Sequence, residues 1–233
     1  MARLRKAAFA LGFTVLLAGF SFARQTNQPS AMRPVSIRPD RLELHCVTAK
    51  PLRYPGRNAL RIVDAAPGHG EDVGRVAVVK DTSMQDGTIE LSLSGDTLPD
   101  APPDSRGFVG IAFRVADDLS HYECFYLRPK NGRSEDQLRR NHSAQYISVP
   151  GFTWHKLRDE SPGKYESYVD LVPGAWTRVK ICIQGSSARL YVNGSSQPVL
   201  IVHDLKQTAE KGSVAFWIGS GTIAYFTDLS LGL

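Results

Sequence analysis

Three cysteines in 233 residues are too few for a disulfide framework, and an odd number leaves at least one thiol unpaired. Cys124 and Cys182 each sit inside an apolar, β-like run and read as buried thiols. Long hydrophobic runs are also missing. The best candidate, residues 7–20, has 14 positions, where a bilayer span needs about 20. Helical periodicity is nearly absent: only residues 204–211 give a weak patch, which fits a short helix or a turn. The six histidines form no His-Glu-x-x-His pattern, so zinc is not expected. No glycine-rich phosphate loop, Gly-x-Ser-x-Gly elbow or Cys-His pair is present.

Charge of one sign is scarce as well. The chain carries 28 Lys and Arg against 23 Asp and Glu, and three of the basic residues, Arg3, Arg5 and Lys6, precede the apolar stretch 7–20. That stretch ends at the small-x-small tripeptide Ser21-Phe22-Ala23, so residues 1–23 read as a secretory signal with cleavage after Ala23. Without them 25 basic residues face 23 acidic ones, a net charge of +2. The one compact basic cluster is Arg139-Arg140 beside Arg133, which is not the basic face a nucleic-acid binder needs. The expectation is a secreted or periplasmic protein with no nucleic-acid partner and no membrane insertion once the signal is removed.

What is abundant is short β-branched and aromatic runs between turn signals. Residues 24–40, with Pro29, Pro34 and Pro39, read as an extended linker or leading segment, and 41–233 as one domain. Strand-like runs are expected at 59–64, 74–80, 88–93, 108–115, 122–127, 144–149, 153–157, 165–171, 176–184, 188–192, 199–203, 214–218 and 223–231. Turn pairs such as Asp86-Gly87, Asn131-Gly132, Pro173-Gly174 and Asn193-Gly194 separate them, the last predicting a hairpin after 188–192. About a dozen strands at this spacing predict an all-β sandwich or barrel.

Alternation divides the strands into faces. In Phe108-Val109-Gly110-Ile111-Ala112-Phe113-Arg114 one face holds Val109, Ile111 and Phe113, and the other Gly110, Ala112 and Arg114. The next run puts Tyr122, Cys124, Tyr126 and Arg128 together. Small residues beside tyrosine and arginine predict an open floor lined by rings and guanidinium groups, which suits sugars: pyranose C–H faces pack on π-faces and hydroxyls need directed partners. The same residues also serve packing and surface solvation, so alternation alone leaves both roles open.

An ordered set of segments carries a resemblance: Asp86-Gly87-Thr88-Ile89-Glu90, the run 108–114, Tyr122-Glu123-Cys124-Phe125-Tyr126-Leu127-Arg128-Pro129, Gln145-Tyr146, Trp154, Trp176-Thr177-Arg178-Val179-Lys180-Ile181 and Ala224-Tyr225-Phe226. Together they resemble secreted bacterial proteins with a laminin G-like jelly roll, close to the 3-keto-disaccharide hydrolase-like domains. The resemblance covers about residues 60–231. It implies an all-β, two-sheet antiparallel jelly-roll sandwich of the concanavalin A-like lectin/glucanase type. It also implies a ligand surface on the concave sheet, near Arg114, Tyr126, Arg128, Asn131, Gln145, Tyr146 and Trp154.

Three functions remain open: a carbohydrate-binding domain, an enzyme acting on 3-keto-glycosides by lyase, hydratase or hydrolase chemistry, and an extracellular protein-adhesion module. For the enzyme, a metal or a lone acid/base such as His142, Glu123 or Glu166 would take the proton beside a keto group. A retaining glucanase is excluded, since it needs carboxylates about 5–5.5 Å apart and no Glu-x-Asp-x-x-Glu strand is present. On one extended strand Glu166 and Asp170 would stand roughly 13 Å apart. No motif names a cofactor. Related jelly rolls hold a structural calcium, for which Asp228 is the candidate ligand, although no calcium-loop spacing appears.

Overall fold

A computed structural model describes residues 31–65 and 74–233. The expected signal, residues 1–23, therefore lies outside the described residues. In chain order the strands are β1 Arg33–Pro34, β2 Leu42–His45, β3 Val47–Tyr54, β4 Arg57–Asp64, β5 Val76–Met84, β6 Gly87–Thr97, β7 Val109–Val115, β8 Tyr122–Leu127, β9 Ala144–Val149, β10 Glu166–Ser167, β11 Thr177–Gln184, β12 Ser187–Val192, β13 Leu200–Val202, β14 Gly212–Ile218 and β15 Thr222–Gly232. Two short helices interrupt them, α1 Gln137–Asn141 and α2 Trp154–Glu160.

The strands form two antiparallel sheets. The first runs β13-β12-β11-β6-β15-β4-β3, with β1 added against β15, and the second runs β10-β9-β8-β7-β14-β5-β2. Between them lies the core, where Leu91, Leu93, Ile181, Leu190 and Phe226 of the first sheet meet Val79, Ile111, Phe113, Phe125 and Phe216 of the second. Phe216 and Phe226 touch across the layers with ring centres 4.4 Å apart. In β11 the alternation is clean: Val179, Ile181 and Ile183 are buried, and Arg178, Lys180 and Gln184 turn outward.

Strands β7 and β8 are buried at every position. Their outer face carries a second apolar layer, with Ala112, Tyr122, Cys124, Tyr126 and Ala215 buried and Phe108, Trp154 and Trp217 packed against them. The expected open floor is therefore filled. Tyr126 and Trp217 are the register partners of Gly110 on either side, and their rings stack across it at 4.7 Å. The backbone is so close here that a Cβ on Gly110 would stand 2.3 Å from the Phe125 carbonyl oxygen.

Several local expectations are corrected. Residues 153–157 form the start of α2, because Thr153 caps the turn by accepting from the Lys156 amide at 3.4 Å. Of 165–171 only Glu166–Ser167 pairs as strand, and 204–211 holds no helix. Strands β2 and β3 were not expected: β3 contains Pro51, which an edge strand tolerates because the missing amide faces no neighbour. Asn193 and Gly194 do adopt positive φ, 52° and 75°, but the chain returns to pair only at Leu200. The tight hairpin is instead β11–β12, where Gln184 pairs with Ser187. Of the leading segment, Arg33–Pro34 joins the first sheet and Val35 and Ile37 pack on the core. The three cysteines are free thiols, with Cys124 buried, Cys182 half-buried and Cys46 exposed.

Candidate functional site

One cross-strand row builds the site. Trp217, Gly110, Tyr126, Gln145 and Glu166 are successive register partners across β14, β7, β8, β9 and β10, so the row leads from an aromatic centre to a carboxylate at the sheet edge. Arg128 follows Tyr126 by two residues and reaches along the same face. Its Nη2 donates to the Tyr126 hydroxyl at 2.8 Å and to Gln145 Oε1 at 3.2 Å, and its Nη1 to the His142 carbonyl at 2.9 Å. Its guanidinium carbon stands 5.0 Å from the Tyr126 ring centre and 5.6 Å from that of Trp154.

Helix α2 adds the next layer. Trp154 and Arg158, one turn apart, lie on one helix face, and the Arg158 guanidinium sits 4.6 Å from the Trp154 ring centre. Arg158 grips Glu166 with two parallel bonds, Nε to Oε1 at 2.9 Å and Nη2 to Oε2 at 2.7 Å. Glu166 also has Arg128 at 3.9 Å and His142 Nε2 at 3.4 Å. His142 terminates α1, whose first turn is capped by the Asp136 carboxylate accepting from the Leu138 and Arg139 amides. Burial holds the His142 pKa below the usual imidazole value. The Arg158 and Arg128 charges act in the same sense and the Glu166 charge opposes them.

In front of this network opens a groove of about 620 Å³, lined by Leu138, Asn141, His142, Arg158, Pro162, Gly163, Glu166, Ser167 and Tyr168. One lip is apolar and exposed, with Leu138 66% and Tyr168 43% accessible. Arg140 crosses the Tyr168 ring at 5.3 Å and donates to its hydroxyl at 3.3 Å. Ser167 Oγ is shielded from solvent and has no hydrogen-bond partner among the described residues.

Five of the seven expected ligand residues come together, Arg128 and four around it. Tyr126, Gln145 and Trp154 touch it, and Asn131 donates to the same His142 carbonyl at 3.2 Å. They back the groove and do not line it. Arg114 does not belong with them. β7 carries one extra residue opposite β14, and this bulge gives Arg114 a φ of 51° and moves Val115 to the face of Ala112. Arg114 turns instead toward the first sheet, bonding the Gln85 carbonyl at 2.8 Å, the Gly185 carbonyl at 2.7 Å and Asp86 at 3.0 Å.

Tyr146 points into the core side, where its hydroxyl donates to Glu123 at 2.5 Å and accepts from the Lys206 amide. Burial, reinforced by the Glu123 carboxylate, raises its pKa. Of the acid/base candidates, His142 and Glu166 stand side by side on the groove, whereas Glu123 is fully buried on the core side of β8. Asp170 is paired with Arg133 by two bonds, at 2.7 and 3.0 Å. Asp228 sits at a bulge of β15 with Arg57 3.3 Å away, and no group of three His, Cys, Asp or Glu side chains suited to a metal occurs among the described residues. The Asp228 site therefore does not fit calcium.

Arg158, Asn141, Arg140 and Tyr168 were not foreseen as site residues. The available signals were Thr153 as an N-cap with Trp154 and Arg158 at helical spacing, and Asp136 ahead of Gln-Leu-Arg-Arg-Asn.

The two sheets and their pairing define an all-β jelly-roll sandwich of the concanavalin A-like class. No protein-family model matches the chain, and no curated protein matches it. Solved structures do share the fold. The carbohydrate-binding module CBM66 from Bacillus subtilis superposes with a TM-score of 0.54 at 11% identity, over 82% of this chain and 98% of that one. A Bacillus subtilis protein of unknown function with a galectin-like fold gives 0.53 at 12% identity, over 87% of this chain and 94% of that one.

Proposed function

We propose that the protein is an exported saccharide-binding domain and that its binding site is the groove between α1, α2 and β10. The observation that carries this reading is the groove itself: an exposed tyrosine ring stands beside hydrogen-bonding side chains that Glu166 and α2 already hold in place, so little order has to be imposed on binding. Tyr168 would take the apolar face of a sugar ring, and Asn141, His142 and Arg158 its hydroxyls. The same fold in a carbohydrate-binding module supports the reading. The residues around Arg128 hold the groove's rear wall. Calorimetric titration against an oligosaccharide panel tests it: Tyr168→Ala and Asn141→Ala should each weaken the bound glycan by about 1–3 kcal/mol with the fold intact. Variants that bind as the parent does would overturn the assignment.

One observation favours a second reading. His142 and Glu166, 3.4 Å apart on the groove, form the kind of pair that could take a proton next to a carbonyl, as an enzyme acting on 3-keto-glycosides requires. Turnover of a 3-keto-glucoside by the purified protein, abolished in His142→Gln, would establish it. Absence of turnover at high enzyme concentration would leave binding as the function.

A further inference from the structure

We propose that the groove selects acidic saccharides, glycans bearing a carboxylate or sulfate, over neutral ones; this rests on the saccharide reading above. The charge balance of the groove carries it. Arg158 lines it, Arg140 crosses its tyrosine lip and Arg128 backs it, while Glu166 is the one carboxylate among its lining residues. Flanking charges pair among themselves: Arg133 with Asp170, Arg139 with Asp136, and Lys156 with Glu160. Arg158, Arg140 and Arg128 thus outnumber Glu166, the one lining carboxylate; Asp170, already bonded to Arg133, also acts on Arg140 by charge, and an incoming anion would offset the surplus that remains.

Donor geometry points the same way. Arg158 spends its Nε and one Nη2 hydrogen on Glu166, and a guanidinium has five N–H donors, so its Nη1 pair remains for a ligand. Arg140 donates to a neutral phenol. Arg128, only 4% exposed, makes its bonds of ordinary length to the neutral oxygens of Tyr126, Gln145 and His142, with Glu166 no nearer than 3.9 Å. His142, held toward its neutral form, can accept or donate a hydrogen bond. Planar, paired donors of this kind match carboxylate and sulfate oxygens better than they match hydroxyls.

The test is titration of the full chain with three probes: trigalacturonate, the neutral 1,4-linked galactotriose of the same backbone, and a sulfated galactose oligosaccharide. Trigalacturonate should bind at least about tenfold more tightly than galactotriose, as expected for one charge-assisted bond pair. The gap should narrow at 0.5 M salt. In Arg140→Gln the ratio of trigalacturonate to galactotriose affinity should fall several-fold, both affinities being measured, while the melting temperature stays unchanged. Binding of the sulfated probe as well would mean that charge suffices, and its absence that a planar carboxylate is read. Equal binding of trigalacturonate and galactotriose, or a preference that Arg140→Gln leaves intact, overturns the inference and leaves the saccharide reading standing. Failure of every probe to bind at millimolar concentration overturns this selectivity, and an extended panel of neutral glycans then decides the saccharide reading separately.

Discussion

Arg128 and Arg114 are both buried arginines on neighbouring strand ends, yet they do different work. Arg128 ties Tyr126, Gln145 and the end of α1 into one unit behind the groove. Arg114 is 1% exposed and joins the two sheets at the opposite end of β7. Arg114→Met would keep the aliphatic stem and leave two carbonyls unpaired. It should cost about 2–4 kcal/mol in urea unfolding with saccharide affinity unchanged. Lost affinity at unchanged stability would return Arg114 to the binding site.

His142 gives a pH-dependent prediction. Its folded pKa lies below the ordinary value near 6.5, so below that pH the unfolded chain binds the proton more readily, and stability is lost as pH falls from about 6.5 through the folded value. The melting temperature should therefore decline less between pH 7 and pH 5 in His142→Gln than in the parent. A variant that declines as steeply would mean that carboxylates alone set the acid limb.

At the scale of elements, two short helices and a two-residue strand make the groove. Helix α1 has only five residues and depends on its cap. Asp136→Ala should cost about 0.5–2 kcal/mol in urea unfolding and also weaken saccharide binding, because Asn141 and His142 end the turn that Asp136 starts. Binding at the parental level would place the ligand away from α1. These elements also explain what the sequence could and could not reveal. Alternation placed Tyr126 and Arg128 on one face correctly, since β8 is regular. It misplaced Arg114, because a bulge changes phase without any residue that announces it. It read 153–157 as strand because five residues around a tryptophan and a leucine fit either period. Glu166 and His142 are 24 positions apart and meet only through the pairing of β9 with β10, which no local pattern encodes.

At the scale of the molecule, the turn spacing and the long β-rich run made the sandwich legible, since some dozen strands have few other ways to bury alternating faces. The functional side was less so. Rings of the second sheet cover their own floor, which moves the accessible chemistry from the sheet's centre to its β10 edge, beside helices the strand pattern did not show. The first sheet offers a contrasting surface: Tyr54 stacks on Tyr225 with ring centres 3.5 Å apart, and Trp176 packs edge-on at 5.7 Å. These rings largely satisfy one another, and the proposed saccharide site lies on the opposite sheet. Amide chemical-shift mapping of the isotope-labelled protein, titrated with the tightest saccharide of the panel, separates the two. Shifts should concentrate at residues 138–142 and 158–168, with the amides near Tyr54, Trp176 and Tyr225 unmoved. Shifts centred on the first sheet, or none near β10 at saturation, would contradict the account.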